Sequence, residues 1–231
     1  MTGGLSNARL ASAAELVRQN AIFADIGTDH AYLPLFLLES GRINFAYCSD
    51  INEGPLASAR KNAEEREMVD RMDFILTDGA TVLRDRGITD YAICGMGGEL
   101  IADIIHRAPH LYDGGVNLII QPMSRQAHLR RFLASEGFSI VLESYSFDAG
   151  KYYVCLLATY TGEGREISDV EAELGLPASE YVGDEARRGY LRTLLNARRR
   201  AAEGKIQGGM ENPPELPLIY EIEKVLERTK L

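Results

Sequence analysis

Tryptophan is absent from this 231-residue chain, and there are only three cysteines and four histidines. Cys48, Cys94 and Cys155 each sit inside an apolar segment, without the paired spacing of a metal site. An odd number of cysteines does not build a disulfide framework, so a reducing cytoplasm and no bound metal are expected. No apolar run approaches the ~20 residues that a membrane helix needs. Met1 to Leu10 lacks the basic and apolar regions of a signal peptide. Positive charge is also in short supply, with 25 Lys and Arg against 34 Asp and Glu and a net charge of -9. That balance argues against a nucleic-acid partner, which calls for a basic face. The deficit is uneven, however. Residues 1–160 carry 14 basic and 20 acidic side chains, whereas Asp184 to Ile206 holds seven Lys/Arg against three Asp/Glu. The acidic total therefore leaves room for one local basic patch.

What is present is the composition of a globular protein, 45% hydrophobic and 26% charged, with length for one sizeable core and a small appendage. Ala21 to Ala24, Phe45 to Ser49, Met72 to Leu76, Tyr91 to Cys94 and Val116 to Ile120 are short apolar runs. They read as strands covered on both faces. Helical stripes alternate with them: Leu56, Ala59 and Ala63; Leu100, Ile101, Ile104, Ile105 and Ala108; Leu129, Phe132 and Leu133. A further helix is expected from Ser6 to Arg18. Phe138 to Tyr145 and Tyr152 to Tyr160 then read as a hairpin about Asp148-Ala149-Gly150. The expected fold class is α/β, a Rossmann-like sheet of five βα strands closed by an antiparallel hairpin, which is the order of class I methyltransferases.

Residues 161–183 are acidic and poor in apolar side chains, and read as a linker after a first domain of residues 1–160. In the remainder of 161–231, Tyr190, Leu194, Ala197 and Ala201 recur at helical spacing, as do Ile219, Ile222 and Leu226. Glycines and prolines between Gly204 and Pro217 separate the two stripes. A short coiled-coil-like helical hairpin is expected, with Tyr190 and Leu194 on its seam.

The chemistry lies where the strands end, because an open α/β sheet binds ligands beyond its strand carboxyl ends. The first strand runs into Asp25-Ile26-Gly27-Thr28-Asp29-His30-Ala31. Gly27 allows a tight turn, and Asp25 and Asp29 can meet an ammonium group. The full G-x-G-x-x-G is missing, which disfavours a pyrophosphate ligand and favours S-adenosylmethionine. Asp50 after the second strand can accept from both ribose hydroxyls, or cap the helix that follows. Asp78 in Thr77-Asp78-Gly79 can accept from the adenine amine, or simply make a turn. Three acidic residues after three successive strands are more specific than any one of them. Gly95-Met96-Gly97-Gly98 after the fourth strand exposes backbone where donor and acceptor would meet, and Gln121-Pro122-Met123 after the fifth presents an amide nearby. His106, His110 and His128 are expected on surfaces or in satisfied positions.

Taken in order, these motifs resemble the bacterial tRNA (adenine-22-N1)-methyltransferases. The resemblance rests on Leu5 to Leu10, Ala24 to Pro34, Asp50 to Leu56, Thr77-Asp78-Gly79, Gly95 to Gly98, Gln121-Pro122 and Gly150-Lys151-Tyr152-Tyr153. It covers residues 5–160, and the helical C-terminal part agrees in type. Met123 stands where an asparagine is expected. The resemblance implies that Arg9, Gly27, His30, Asp50, Asp78, Gly95 and Gly97 hold S-adenosylmethionine. Asp25, Ile51, Gly79 and Met96, in the same motifs, complete the donor-binding set. It also implies that the acceptor is N1 of an adenine in the D-arm of tRNA, extruded into the pocket.

Three side chains are expected to act on the acceptor. Asp29 faces its exocyclic amine, Gln121 orients the base, and Tyr152 or Tyr32 stacks on it. For tRNA phosphates the expected contacts are Arg188, Arg192 and Arg199 on one side of the basic helix, with Arg125, Arg130 and Arg131 near the crevice as the alternative set. Two other readings of the sequence are a small-molecule methyltransferase whose helical tail serves as a lid or dimer contact, and a non-catalytic binding module.

Overall fold

The computed structural model describes residues 7–175 and 180–228. Leu5 and Ser6, which open the expected first helix and the first motif, lie outside the described residues. Strands β1 (Ala21–Ile26), β2 (Ile43–Asp50), β3 (Met72–Leu76), β4 (Asp90–Gly97) and β5 (Asn117–Ser124) run parallel. β6 (Phe138–Asp148) and β7 (Lys151–Tyr160) form the antiparallel hairpin, and β8 (Glu180–Val182) adds to β6 in parallel. The sheet order is β3-β2-β1-β4-β5-β7-β6-β8. The chain reverses direction across the sheet between β1 and β4, so their carboxyl ends open the crevice that such a switch point makes.

Helices α1 (Ala8–Leu16), α2 (Tyr32–Glu39) and α3 (Glu53–Glu65) cover one face of the sheet, and α4 (Gly98–His106) and α5 (Gln126–Ser135) cover the other. Strand alternation supplies both cores: Phe23 and Ala92 point to the first, Ala24, Ile26 and Ile93 to the second. α2 has no helical stripe in its sequence. Leu33, Pro34, Leu35, Leu37 and Leu38 are all buried, so burial runs nearly all round it.

α1 is fixed at both ends. Its entry is capped by Asn7 Oδ1, which accepts from Leu10 N at 3.2 Å. Just past its exit, Arg18 donates from its backbone N and its Nε to the fully buried Asp90 carboxylate, and from Nη2 to the Thr89 and Gly115 carbonyls. The helix therefore points its first turn at the crevice. The β6–β7 turn has Ala149 at φ 46° and Gly150 at φ 80°. Two left-handed central residues match the right-handed twist of the flanking strands.

Beyond β7 the sequence expectation needs correction. Residues 161–183 are more than a linker, because they contain α6 (Asp169–Leu174) and the edge strand β8. A capping box starts α6: Glu171 N donates to Ser168 Oγ, and Ser168 N donates to Glu171 Oε2. α7 (Asp184–Gln207) and α8 (Leu216–Arg228) then pair as expected, but on a shifted seam. Leu191, Leu195, Leu218, Ile222 and Leu174 form its core, while Ala197 and Ala201 are exposed. The cause is that α7 has two neighbours. Tyr190 and Leu194 pack at the edge of that core, and Tyr190 also reaches the sheet, meeting the Tyr145 ring edge-on at 5.5 Å, while Leu191 and Leu195 face α6 and α8.

A buried ion pair joins this region to the sheet. Arg130 of α5 is fully buried and donates to Glu143 of β6 at 3.0 and 3.2 Å, and to the Ala172 carbonyl of α6 at 2.9 Å. The Tyr145 hydroxyl donates to the same Glu143 at 2.5 Å.

Candidate active site

The loop after β1 is built to approach a ligand with backbone. Gly27 N and Thr28 N both donate to Ser49 O at 2.8 Å, which ties the loop to β2. Gly27 has φ +73°, and a Cβ there would lie 2.0 Å from the Met96 methyl group. The non-glycine residues His30 and Ala31 follow at φ 61° and 56°. Such strain persists only where the surroundings fix it. Here Asn62 Nδ2 donates to the His30 carbonyl at 2.9 Å, and the His30 ring stacks on Tyr32 at 5.3 Å.

Asp25, at the end of β1, is buried and accepts from Thr28 Oγ1 at 2.5 Å. Burial pushes its carboxyl up to about 6; the Thr28 hydroxyl opposes this and the Asp50 charge adds to it. Across the space stands Arg9, from the first turn of α1. Its Nη1 donates to Gln121 Oε1 at 2.6 Å, and its guanidinium lies 6.0 Å from the Tyr153 ring centre. Between these groups is a cavity of about 340 Å³, lined by Asn7, Arg9, Leu10, Asp25, Gly27, Asp29, Tyr32, Leu33, Cys94, Gly95 and Met96. Two carboxylates and one guanidinium among apolar walls complement a zwitterionic amino-acid group. Burial also pushes the Cys94 thiol up to about 12, so at neutral pH it is an uncharged wall.

A model of the methyltransferase domain family matches residues 6–156. The tRNA (adenine(22)-N(1))-methyltransferase of Bacillus subtilis is 28% identical over 80% of this chain and 77% of its own length. A Streptococcus pneumoniae protein assigned as a tRNA (m1A22) methyltransferase, solved with S-adenosyl-L-methionine, is 32% identical. It aligns over 94% of this chain and 98% of its own, at a TM-score of 0.77. This chain belongs to the tRNA (adenine-22-N1)-methyltransferase family. A third member, from M. capricolum and solved with S-adenosyl-homocysteine, is 25% identical over 96% of this chain and 95% of its own, at a TM-score of 0.71.

In this member of the family, Arg9, Asp25, Gly27, Asp29, Gly95 and Met96 from the sequence reading meet in the cavity. Asn7, Leu10, Leu33 and Cys94 join them; being mostly apolar, they carried no signal beyond their place in the motifs. Asp50 sits at the adjacent strand end, where its Oδ1 accepts from Asn52 N at 2.7 Å, and Ile51 is exposed beside it. The helix cap itself is Asn52, so the alternative capping role does not fall to Asp50. Asp78 is engaged elsewhere: both its oxygens accept from Arg107, at 2.8 and 3.2 Å, and this holds its carboxyl below the usual range. Gly79 beside it lies over Ile104. Gly97 and Gly98 let the end of β4 approach β5. A Cβ on Gly98 would lie 2.6 Å from the Arg125 carbonyl, and one on Gly97 3.3 Å from Ser124 Oγ.

Two of the expected acceptor contacts are corrected. Gln121 is fully buried, with its oxygen on Arg9 and its Nε2 donating to the Pro122 carbonyl at 3.1 Å, so its amide is not presented to a base. Tyr152 packs against α7, where a Cβ on Gly189 would be 2.1 Å from its ring. Successive strand residues face opposite ways, and it is Tyr153 that turns to Arg9. The basic residues are also reordered. Arg130 is buried in its ion pair and cannot reach a phosphate. Arg131 pairs with Asp169, and Arg199 with Glu223. Arg188 is half-buried, while Arg192 is exposed and Arg125 is exposed beside Glu99.

The raised Asp25 carboxyl has a measurable signature. A cationic ligand binds the ionised form better, so donor affinity is expected to fall about tenfold between pH 7 and pH 5. The ionised form is disfavoured in the empty fold, so stability falls as pH rises from the unfolded value near 3.8 through about 6. Calorimetric titration of S-adenosylmethionine across that range checks it. Asp25→Asn should flatten the pH dependence, and a wild-type affinity that does not vary with pH refutes the assignment.

Proposed function

We propose that this chain transfers a methyl group from S-adenosylmethionine to N1 of the adenine at position 22 of tRNA, in the cytoplasm. The observation that carries the reading is the cavity at the β1–β4 switch point, where Arg9 faces Asp25 and Asp29. Its lining complements both charges of the donor's amino-acid group, and a family relative was solved with that donor in place.

When bound, S-adenosylmethionine supplies an electrophilic sulfonium methyl group. Arg9 takes the donor's carboxylate, and Asp25 with Asp29 takes its ammonium. Gly27, Gly95 and Met96 bring backbone and a thioether against its body. Asp50 accepts from the ribose hydroxyls beside Ile51, and His30 stacks with Tyr32 at the mouth. Asp78 and Gly79 would hold the adenine end of the donor, with the Arg107 pair keeping that carboxylate ionised. Neutral adenine N1 already has a lone pair, so positioning does most of the work and no base need remove a proton first. The base enters beside Gly97, where Tyr32 offers a stacking face and Asp29 stabilises positive charge developing on the ring.

Residues 1–160 form the catalytic domain, and both it and the region beyond contribute phosphate contacts. Arg125 and Arg192 are the exposed members of the expected set that are not tied into a close ion pair, Arg125 lying 3.4 Å from the exposed Glu99. Reversing both to Glu is expected to weaken tRNA binding at least tenfold and lower the salt slope by about 2, with donor affinity unchanged. Titration of tRNA at several salt concentrations measures this, and an unchanged slope refutes the contact. The reaction itself is tested with labelled donor and unmodified tRNA transcripts, followed by mapping of the methylated base. Label on N1 of adenine 22 supports the reading. Equal labelling of free adenosine points to a small-molecule enzyme, and no transfer to any acceptor points to a binding module.

A further inference from the structure

Gln121 has the position of an acceptor-binding residue and the surroundings of something else. It lies in the buried part of β5, one residue before that part ends at Pro122, and none of its side chain is exposed. Its Oε1 accepts from Arg9 at 2.6 Å. Its Nε2 donates to the Pro122 carbonyl at 3.1 Å and lies 3.7 Å from Met123 Sδ. Both ends of the amide are therefore used within the protein. The group that does line the cavity is Arg9, which also stands close to Gly95 and Tyr153. A guanidinium has five N–H donors in a fixed plane, so one hydrogen bond sets the direction of the other four. α1 cannot slide to compensate, because Arg18 locks its far end to Asp90.

We propose that Gln121 is a positioning residue, which aims the Arg9 guanidinium at the carboxylate of the methyl donor and does not touch the acceptor base. The proposal rests on the reading that the cavity takes S-adenosylmethionine. It assigns Gln121 to donor affinity, whereas an acceptor contact would appear in the tRNA parameters.

The test is a binding cycle with wild type, Gln121→Ala, Arg9→Ala and the double variant. Each is titrated with S-adenosylmethionine and with its decarboxylated analogue, in the absence of tRNA. Gln121→Ala is expected to weaken S-adenosylmethionine at least tenfold and to leave the analogue within about twofold, since a hydrogen bond serving a charged group is at stake. In the Arg9→Ala background the same change should have no further effect. In turnover, Gln121→Ala should raise the donor KM while kcat at saturating donor and the tRNA KM stay within about twofold. Gln121→Glu keeps shape and oxygen but neutralises Arg9. It therefore tests the charge of Arg9 alone, whereas Gln121→Met keeps the shape and removes the accepting oxygen. Gln121→Met should behave like Gln121→Ala toward both ligands, and it carries the test if the alanine protein is not folded. Variants that bind S-adenosylmethionine like wild type, or that instead raise the tRNA KM, overturn the proposal. A wild-type protein that does not bind S-adenosylmethionine overturns the underlying functional reading instead.

Discussion

A Gly27→Val protein is expected to fold and to lose S-adenosylmethionine binding by at least a hundredfold. The new Cβ would sit 2.0 Å from the Met96 methyl group, on the cavity wall itself, and its branches would extend into the space the donor must fill. A backbone effect alone cannot account for the loss if Gly41→Val is run beside it. Gly41 has nearly the same left-handed conformation, φ +68°, with nothing within 4 Å of its Cβ position. Both variants incur the ~1–2 kcal/mol of that conformation, and somewhat more for a branched side chain. Only one of them obstructs the cavity. Thermal melts and donor titration of the pair separate the two effects. Equal donor affinity in the two variants would mean that the donor site lies elsewhere.

The second large effect concerns stability. Arg130→Met leaves Glu143 buried without its cation and the Ala172 carbonyl without its donor. Breaking a buried pair on one side costs about 3–5 kcal/mol. For a chain of this length that corresponds to a fall in Tm of roughly 6–20 °C. Removing the whole network, as Arg130→Met with Glu143→Leu and Tyr145→Phe, should recover most of the loss, since no charge is then stranded. Melts of the single and triple variants measure the difference. A single variant within about 1 kcal/mol of wild type would show that water or a neighbour already compensates the pair.

The same arginine shows where sequence reading reaches its limit. Arg130 lies in a helix with a clear apolar stripe, and a charged residue beside that stripe reads as solvent-facing by default. Its partner Glu143 is 13 residues away in a strand otherwise read as apolar, and no periodicity connects the two. The strands of the sheet were legible because each is a short apolar run between polar turns, and Met72 to Leu76 was bounded as observed. α2 was not, because burial on nearly all sides erases the stripe. β8 was not, because all three of its residues are exposed and only its pairing with β6 makes it a strand. In the site, the backbone-approach residues and carboxylates were legible from their places after the strands. The choice of Tyr152 over Tyr153 was not, because it depends on the phase of alternation in β7. That phase is fixed by Val154 and Leu156 entering one core and Cys155 the other.

The hydrogen bond between Arg9 and Gln121 spans 112 residues of chain. At ribosomal rates of about 5–20 residues per second, the glutamine emerges roughly 6–20 s after the arginine. β5 must also pair with β4 before the contact can form. A nascent chain that has already made β1, β2 and β4 therefore holds every carboxylate of the donor cavity and still lacks the fixed cation opposite them. The order of synthesis thus sets the order of assembly: the acidic side of the cavity is in place first, and its cation is fixed only once β5 has paired with β4.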